Sequence, residues 1–178
     1  MDIDLVNTSD NSGILNAGGA CIAKQVSPLT ANRIDTYRNI NGFSTRVEAI
    51  YAQYKTAVVQ GRRVYVGNIK QNGQTFPDRV LKSQINKFDT FPENMSNIDV
   101  AIRDGESIIK LETFSDRILQ FKENSLYIIN VSENVDFLED TYRNKGCLFP
   151  YHVVKTDYGI SWFNKYGVYF YDGKQVVN

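Results

Sequence analysis

Hydrophobic and polar positions along this chain repeat one sixteen-residue pattern three times. The copies read YKTAVVQGRRVYVGNI, DRILQFKENSLYIINV and YGISWFNKYGVYFYDG. In each copy two short apolar runs flank a polar turn, and this order is typical of a β-hairpin. The pattern therefore predicts three antiparallel hairpins, over Tyr54–Gly67, Asp116–Val131 and Tyr158–Asp172.

The second and third copies are related by a fixed offset of 42 residues. This offset pairs Ile118 with Ile160, Phe121 with Phe163, Leu126 with Val168 and Ile128 with Phe170. A period of about 40–45 residues is that of one β-propeller blade. We therefore predict a mainly β protein whose antiparallel hairpin repeats form a partial β-propeller of about three blade-like units. A compact meander or sandwich of about seven to nine strands is the alternative.

The domain organisation follows from where the strand pattern begins. Residues 1–45 are predicted to be an irregular N-terminal arm, because the first 32 are rich in Asn, Ser, Gly and Ala without a sustained period. Residues 46–178 are predicted to form the partial propeller. Residues 68–98 are predicted to be an insertion, a loop with one embedded strand at Arg79–Ser83. The acidic connector ENVDFLEDTYRNKG is predicted to form one helical turn.

A propeller sheet needs neighbours, since one blade cannot bury both of its faces alone. Three hairpin units do not close a ring, so either the chain is a piece of a longer protein or other subunits supply the missing neighbours. We expect a matched apolar stripe to be largely buried: Val58, Val64, Val66, Ile118, Leu126, Ile128, Ile160, Val168 and Phe170.

Composition narrows the class of protein. Apolar residues make up 42% of the chain and aromatic residues 12%, which is enough to fill a core. Lys plus Arg equals Asp plus Glu at 20 each, so no bulk electrostatic field draws nucleic acid or an anionic membrane. No apolar stretch approaches the ~20 residues of a membrane span. The two cysteines are too few for a disulfide scaffold, and we expect reduced thiols in the cytoplasm.

Candidate catalytic groups are sparse. His152 is the only histidine, and Cys147 lies five residues before it without the surrounding pattern of an activated nucleophile. Five carboxylates lie at predicted strand ends or turns, where Asp bonds its own backbone: Asp99, Asp104, Glu106, Asp116 and Asp157. We predict no catalytic, cofactor-binding or metal site, and no enzyme.

Two small groups of basic residues are candidates for binding a backbone phosphate. Arg62 and Arg63 are adjacent, so on a strand their side chains point to opposite faces and only one serves a given surface. Arg79, Lys82 and Lys87 form the second group. A solvated surface is favoured for both over a nucleic-acid site.

The run from Lys55 to Asn178, about 70% of the chain, resembles virion structural proteins of tailed bacteriophages. It is similar in particular to T4-like cyanophage structural proteins and to the β-propeller nozzle or stabilisation proteins of short-tailed phages. The phrases that carry the resemblance are GRRVYVGNI, PDRVLKSQINKFDTFP, DGESIIKLETFSDRILQFKENSLYIINVS and GISWFNKYGVYFYDG.

The resemblance implies a non-enzymatic building block of the phage tail or neck. Its expected partners are other virion tail or neck subunits in a homo-oligomeric ring, close to the genomic DNA, after assembly in the host cytoplasm. A glycan-binding or glycan-processing propeller domain is the alternative, and a glycan-processing site places two carboxylates within ~10 Å. An interaction propeller of the kind found in host cells shares every physical property of the first interpretation.

Overall fold

In a computed structural model of the protein, the described residues are 33–34, 52–71, 73–92, 97–98, 105–133 and 135–178. The chain divides between Arg33 and Ile34 into two units, and the sheets from residue 52 onward belong to the second. The predicted arm, residues 1–45, lies outside the described residues except for Arg33–Ile34, which form a short strand. Across the described ranges the chain forms antiparallel sheets and one 3-10 turn at Pro150–His152, so the mainly β prediction is confirmed.

The described residues form three sheets, each with its strands in chain order. The first sheet contains β1 (Arg33–Ile34), β2 (Ala52–Gln60), β3 (Arg63–Gln71), β4 (Gln74–Lys82) and β5 (Asn97–Ile98). The second sheet contains β6 (Ile108–Phe114), β7 (Arg117–Lys122), β8 (Ser125–Asn130) and β9 (Phe137–Arg143). The third sheet contains β10 (Val153–Thr156), β11 (Gly159–Asn164), β12 (Gly167–Tyr171) and β13 (Val176–Val177).

The three predicted hairpins are confirmed and they share one register. Val59 pairs with Val64 in the first sheet, Phe121 with Leu126 in the second and Phe163 with Val168 in the third. These pairs are related by the sequence offsets of 62 and 42. In the first hairpin Gly61 and Arg62 both have positive φ, 55° and 60°, as the two central residues of a type I′ turn require.

The described part of the predicted insertion, residues 68–98, contains more strand than predicted, and the strand predicted at Arg79–Ser83 is the end of the longer β4. β3 continues to Gln71, and β4 pairs along it. The pairing shifts register between Gly67 and Ile69, where Asn68 has a φ of 59°. Pro77 of β4 lies in the unpaired stretch opposite this bulge, where its missing N–H breaks no ladder hydrogen bond.

The acidic connector is a strand as well, so the predicted helical turn was wrong. Its residues Phe137–Arg143 form β9 and pair with β8 as the fourth strand of the second sheet. A strand satisfies a whole row of backbone groups on β8, which one helical turn beside that edge leaves unpaired.

Two apolar cores lie between the sheets. The core between the first and second sheets contains Tyr65, Val80, Ile98, Ile108, Leu111, Ile118, Ile129 and Val131. The core between the second and third sheets contains Leu119, Phe121, Leu126, Ile128, Cys147, Val153, Ile160, Trp162, Tyr169 and Tyr171. The second sheet is therefore buried on both faces. A third cluster, built from the first sheet and Phe91, contains Ala52, Val66, Ile69, Leu81 and Phe91.

The two sheet contacts use different faces of the repeat. Thr56 and Gly67 of the first sheet face the second sheet, since the Thr56 hydroxyl accepts a hydrogen bond from the Leu111 N–H at 2.9 Å, and the Gly67 Cα lies close to Leu111. Their equivalents at the offset of 62, Ile118 and Ile129, face the first sheet in return. Sheets one and two thus meet through the same face of each hairpin.

The second and third sheets meet through opposite faces. The second sheet contributes Leu119 and Phe121, whereas the third contributes Ile160 and Trp162, which are equivalent to Ile118 and Gln120 on the other face. This contact is head-to-tail, the relation that neighbouring blades have. A single rotation therefore does not relate all three sheets.

Candidate functional site

The Cys147 thiol and the His152 ring both take part in packing. Cys147 is fully buried between the second and third sheets, where burial raises the pKa of its thiol to about 12, and its N–H donates to the Lys122 carbonyl at 2.9 Å. His152 stacks on Phe163 with ring centroids 4.2 Å apart and meets Phe149 edge-on. A protonated, buried thiol is a poor nucleophile.

The candidate carboxylates that the structure describes lie in turns or contact one. Glu106 accepts hydrogen bonds from the backbone N–H groups of Asn124 and Ser125, at 3.1 and 3.2 Å, and so holds the β7–β8 turn. Asp116 accepts a hydrogen bond from the Gln60 side chain at 3.3 Å, and Asp157 is exposed in the β10–β11 turn. The other two candidates, Asp99 and Asp104, lie outside the described residues. Within the described ranges no group of three or more His, Cys, Asp or Glu is arranged to hold a metal ion.

Three of the basic residues that are candidates for phosphate contacts bind other groups of the protein. The Arg63 guanidinium donates to the Ser83 carbonyl at 2.8 Å, and the Lys82 ammonium pairs with Asp136 at 2.7 Å. Arg79 lies 3.9 Å over the Phe76 ring. Arg63 and Lys82 also line a cavity of about 450 Å³ together with Ser83, Gln84, Ile85 and Pro92. Because Arg63, Arg79 and Lys82 are each engaged by another group of the protein, these three residues do not form a concentrated positive surface.

The outward face of the third sheet carries the largest group of exposed apolar side chains on one sheet within the described chain. Alternation with the buried residues Val153, Trp162, Tyr169 and Tyr171 places a second set of side chains on the opposite face. We call this surface the open face; it consists of Val154, Ser161, Phe163, Val168, Phe170 and Val177. Four of its members are 41–65% exposed: Val154, Phe163, Val168 and Val177.

The strand pairing shows that the open face is continuous. Val154 is paired with Ser161, Ser161 with Phe170, and Phe170 with Val177, so these four residues form one row across the sheet. Phe163 and Val168 form the next row, and His152 extends it by stacking on Phe163.

Each hairpin position of the open face has an equivalent in the second sheet that is covered. At the offset of 42, Ser161, Phe163, Val168 and Phe170 correspond to Leu119, Phe121, Leu126 and Ile128. Those four residues are at most 3% exposed because the third sheet packs on them. The open face thus has the composition and register of an interface, and in the described part of the chain no sheet packs on it.

The predicted burial of the apolar stripe is confirmed for five of its nine residues. Val66, Ile118, Leu126, Ile128 and Ile160 are buried, and Val58, Val64 and Phe170 are partly buried. Val168 is 65% exposed, so its predicted burial was wrong. The repeat pattern is correct, but burial requires a sheet opposite the residue, and the third sheet has one on its inner face only.

Comparison with known proteins provides no family. No family of known proteins matches the chain, and no curated protein is significantly similar to it in sequence. Among the described residues, no helix is both long enough and apolar enough to cross a membrane.

Proposed function

We propose that this protein is a non-catalytic structural component of a bacteriophage virion, in the tail or neck, where it acts as an assembly scaffold. Its partners are other tail or neck subunits, arranged in a ring around the path of the DNA. The phrases from GRRVYVGNI to GISWFNKYGVYFYDG, which resemble tail nozzle and stabilisation proteins, support this proposal.

The observation that carries the proposal is the open face. A scaffold builds its connections from extended, pre-formed surfaces, and contiguous exposed apolar patches are typical of protein–protein contact sites. Here the patch repeats, position for position, a face that another sheet covers elsewhere in the same chain.

The finer fold belongs to the same proposal. The second and third sheets, which meet head-to-tail, are two successive blade-like units of a partial propeller. The first sheet covers the remaining face of the second sheet, on the side where a preceding blade would pack. It acts as a cap, because the two sheets meet through the same face of each hairpin.

The test is the location of the chain in infected cultures. Virions of the phage that encodes it are purified on a density gradient, digested and quantified by mass spectrometry beside the free lysate. The chain is expected in the virion fraction, in a fixed ratio to tail proteins. Recovery only in the free lysate would overturn the virion proposal, and specific binding to a glycan array would then favour the glycan-binding alternative.

A further inference from the structure

We infer that the open face binds one further four-stranded antiparallel sheet of the same repeat type, supplied by another polypeptide segment, with an apolar inner face like that of the third sheet. The inference rests on the proposed scaffold function for its biological role and names the partner of that scaffold. Its test uses the purified chain and does not depend on where the chain is found.

The register of the repeat identifies the occupant. β7 and β8 of the second sheet form five consecutive residue pairs. Four of these pairs, from Ile118–Ile129 to Phe121–Leu126, have equivalents in β11 and β12 at an offset of 42 residues. The β6–β7 pairs from Leu111–Gln120 to Phe114–Arg117 recur in β10 and β11. The backbone that supports the open face is therefore paired like the backbone that supports the covered face of the second sheet.

The sheet that covers this equivalent face shows what chemistry fits. The third sheet covers it with a large aromatic and aliphatic surface, in which Trp162 meets Phe121 edge-on with centroids 5.2 Å apart. An occupant with bulky side chains at the equivalents of Ile160, Trp162, Tyr169 and Tyr171 has the matching shape. A second copy of this chain does not offer such a face, because its own inner face is already packed on its second sheet.

Polar contacts add a second requirement on the partner. Two lysines join the second and third sheets: Lys110 donates to the Val153 carbonyl at 3.0 Å, and Lys155 donates to the Thr113 hydroxyl at 3.3 Å. At the offset of 42, Lys155 takes the repeat position of Thr113, and His152 takes that of Lys110. The Lys155 ammonium itself is directed toward Thr113 and not toward the open face. The partner should therefore not place a lysine where the third sheet has Lys155, because the position that would accept its hydrogen bond is itself a lysine and not a threonine.

Among the described residues, one ring nitrogen of His152 lacks a hydrogen-bond partner, as expected if a partner sheet is missing from the open face. Its Nδ1 is buried and has no hydrogen-bond partner in the described structure, whereas the equivalent Lys110 crosses to the next sheet. Buried polar atoms are seldom left without a partner. The unpaired nitrogen lies at the edge of the surface that we assign to the partner.

The chain itself supplies a probe for the test. Phe170 is equivalent to Ile128, and these two residues pair with Val177 and Asp140, respectively. Val177 is therefore equivalent to Asp140, and Asn178 is equivalent to Thr141. A second copy of residues 142–178, fused directly after Asn178, therefore continues the repeat in register. In this copy Lys155→Glu removes the lysine that lacks an acceptor, and a matched fusion keeps the lysine.

Protection of the open face is the readout. Val168→Cys in the original copy introduces a thiol on the open face, and its alkylation is followed by mass spectrometry of the peptide that carries it. The fusion with Lys155→Glu should slow this alkylation by about tenfold or more relative to the unextended chain. Val59→Cys, on the 61% exposed Val59 of the first sheet, is the control and should react equally in both chains.

Two comparisons make the result specific. A fusion whose appended copy carries Trp162→Ser and Tyr169→Ser should give no protection, and the fusion that keeps the lysine should protect less than the one with Lys155→Glu. Equal alkylation at position 168 in the extended and unextended chains, with either fusion, would overturn the inference. Virion location and protection vary independently, so failure of one proposal is distinguishable from failure of the other.

Discussion

The indole ring of Trp162 in the third sheet packs edge-on against the phenyl ring of Phe121 in the second, with an interplanar angle of 71°. The same indole N–H donates to the Lys145 carbonyl at 2.8 Å, in the connector between the two sheets. One side chain thus fixes both the contact between the sheets and the path of the chain that joins them.

Trp162→Ala should lower the free energy of unfolding by about 3–5 kcal/mol, because it removes a fully buried ring and a hydrogen bond together. Trp162→Phe keeps part of the ring contact and should be milder. Urea denaturation of both variants measures the difference. Equal stability of Trp162→Ala and the unmodified chain would contradict the assignment of this ring to the core.

Leu126 and Val168 occupy the same repeat position, one covered and one on the open face. Leu126→Ala should cost about 2–5 kcal/mol, since the side chain is fully buried. Val168→Ala should change stability by less than about 0.5 kcal/mol, as is usual at exposed sites. Chemical denaturation of the two variants tests whether the loss of unfolding free energy depends on the repeat position or on burial under another sheet. Similar losses in both variants would contradict the exposure of Val168.

Gly146 is enclosed by backbone, whereas Gly61 is open. A Cβ at Gly146 would come within 2.3 Å of the Lys122 carbonyl oxygen, while a Cβ at Gly61 meets nothing within 4 Å. Gly61→Ala should cost about 1 kcal/mol from its positive φ alone. Gly146→Ala should cost clearly more, because the connector must move away from the β7–β8 turn. Thermal unfolding of the two variants measures the order, and the reverse order would contradict the close approach.

Gln120 is a buried polar residue at a position where the other repeats are apolar. Its side-chain amide has no hydrogen-bond partner in the described structure, and its equivalents are Val58 and Trp162. Gln120→Leu should therefore raise the free energy of unfolding, by about 1–3 kcal/mol, since it removes an unpaired buried amide. Gln120→Glu, which buries a charge, should lower it. Denaturant midpoints of the two variants report the sign of each effect.

Acid should weaken one contact in particular. The Arg117 guanidinium donates two hydrogen bonds to the Glu139 carboxylate, and the Asn130 amide donates a third; together they hold the pKa of Glu139 below its ordinary value. A depressed folded-state pKa stabilises the protein above the unfolded-state pKa, and this contribution is lost as the pH falls through the folded-state value. Stability should thus fall with acid more steeply in the unmodified chain than in Glu139→Gln.

The comparison needs a second carboxylate as control. Glu133→Gln alters an exposed turn residue and should leave the acid dependence as it is in the unmodified chain. Unfolding free energies at several pH values between about 3 and 6 measure the three slopes. An unchanged slope in Glu139→Gln would contradict the assigned role of this carboxylate.

Local chemistry explains which parts of the fold were predictable. The Gly61–Arg62 turn and the alternation around Phe121 and Leu126 are set by neighbours in the sequence, so all three hairpins were found. β4 was predicted too short, as Arg79–Ser83, and β9 was missed, because a strand that carries Pro77 or several acids is defined by the neighbouring strand it pairs with.

The orientation of the sheets was not predictable from the repeat. Thr56 and Ile118 hold the same hairpin position, yet the two sheets that carry them face each other. No pattern within a hairpin specifies which of its faces a distant sheet will cover. The exposure of Val168 has the same cause, and the open face could therefore be recognised only in three dimensions.

The connection before the fourth strand differs in length between the two head-to-tail sheets. It spans residues 131–136 in the second sheet and residues 172–175 in the third, while the hairpin registers are the same. The segment around Gly146, in contrast, has no room even for a methyl group. Insertions and deletions that accumulate over evolution should therefore collect in the connection between the third and fourth strands of a sheet. This connection is a suitable place to insert a foreign peptide for display.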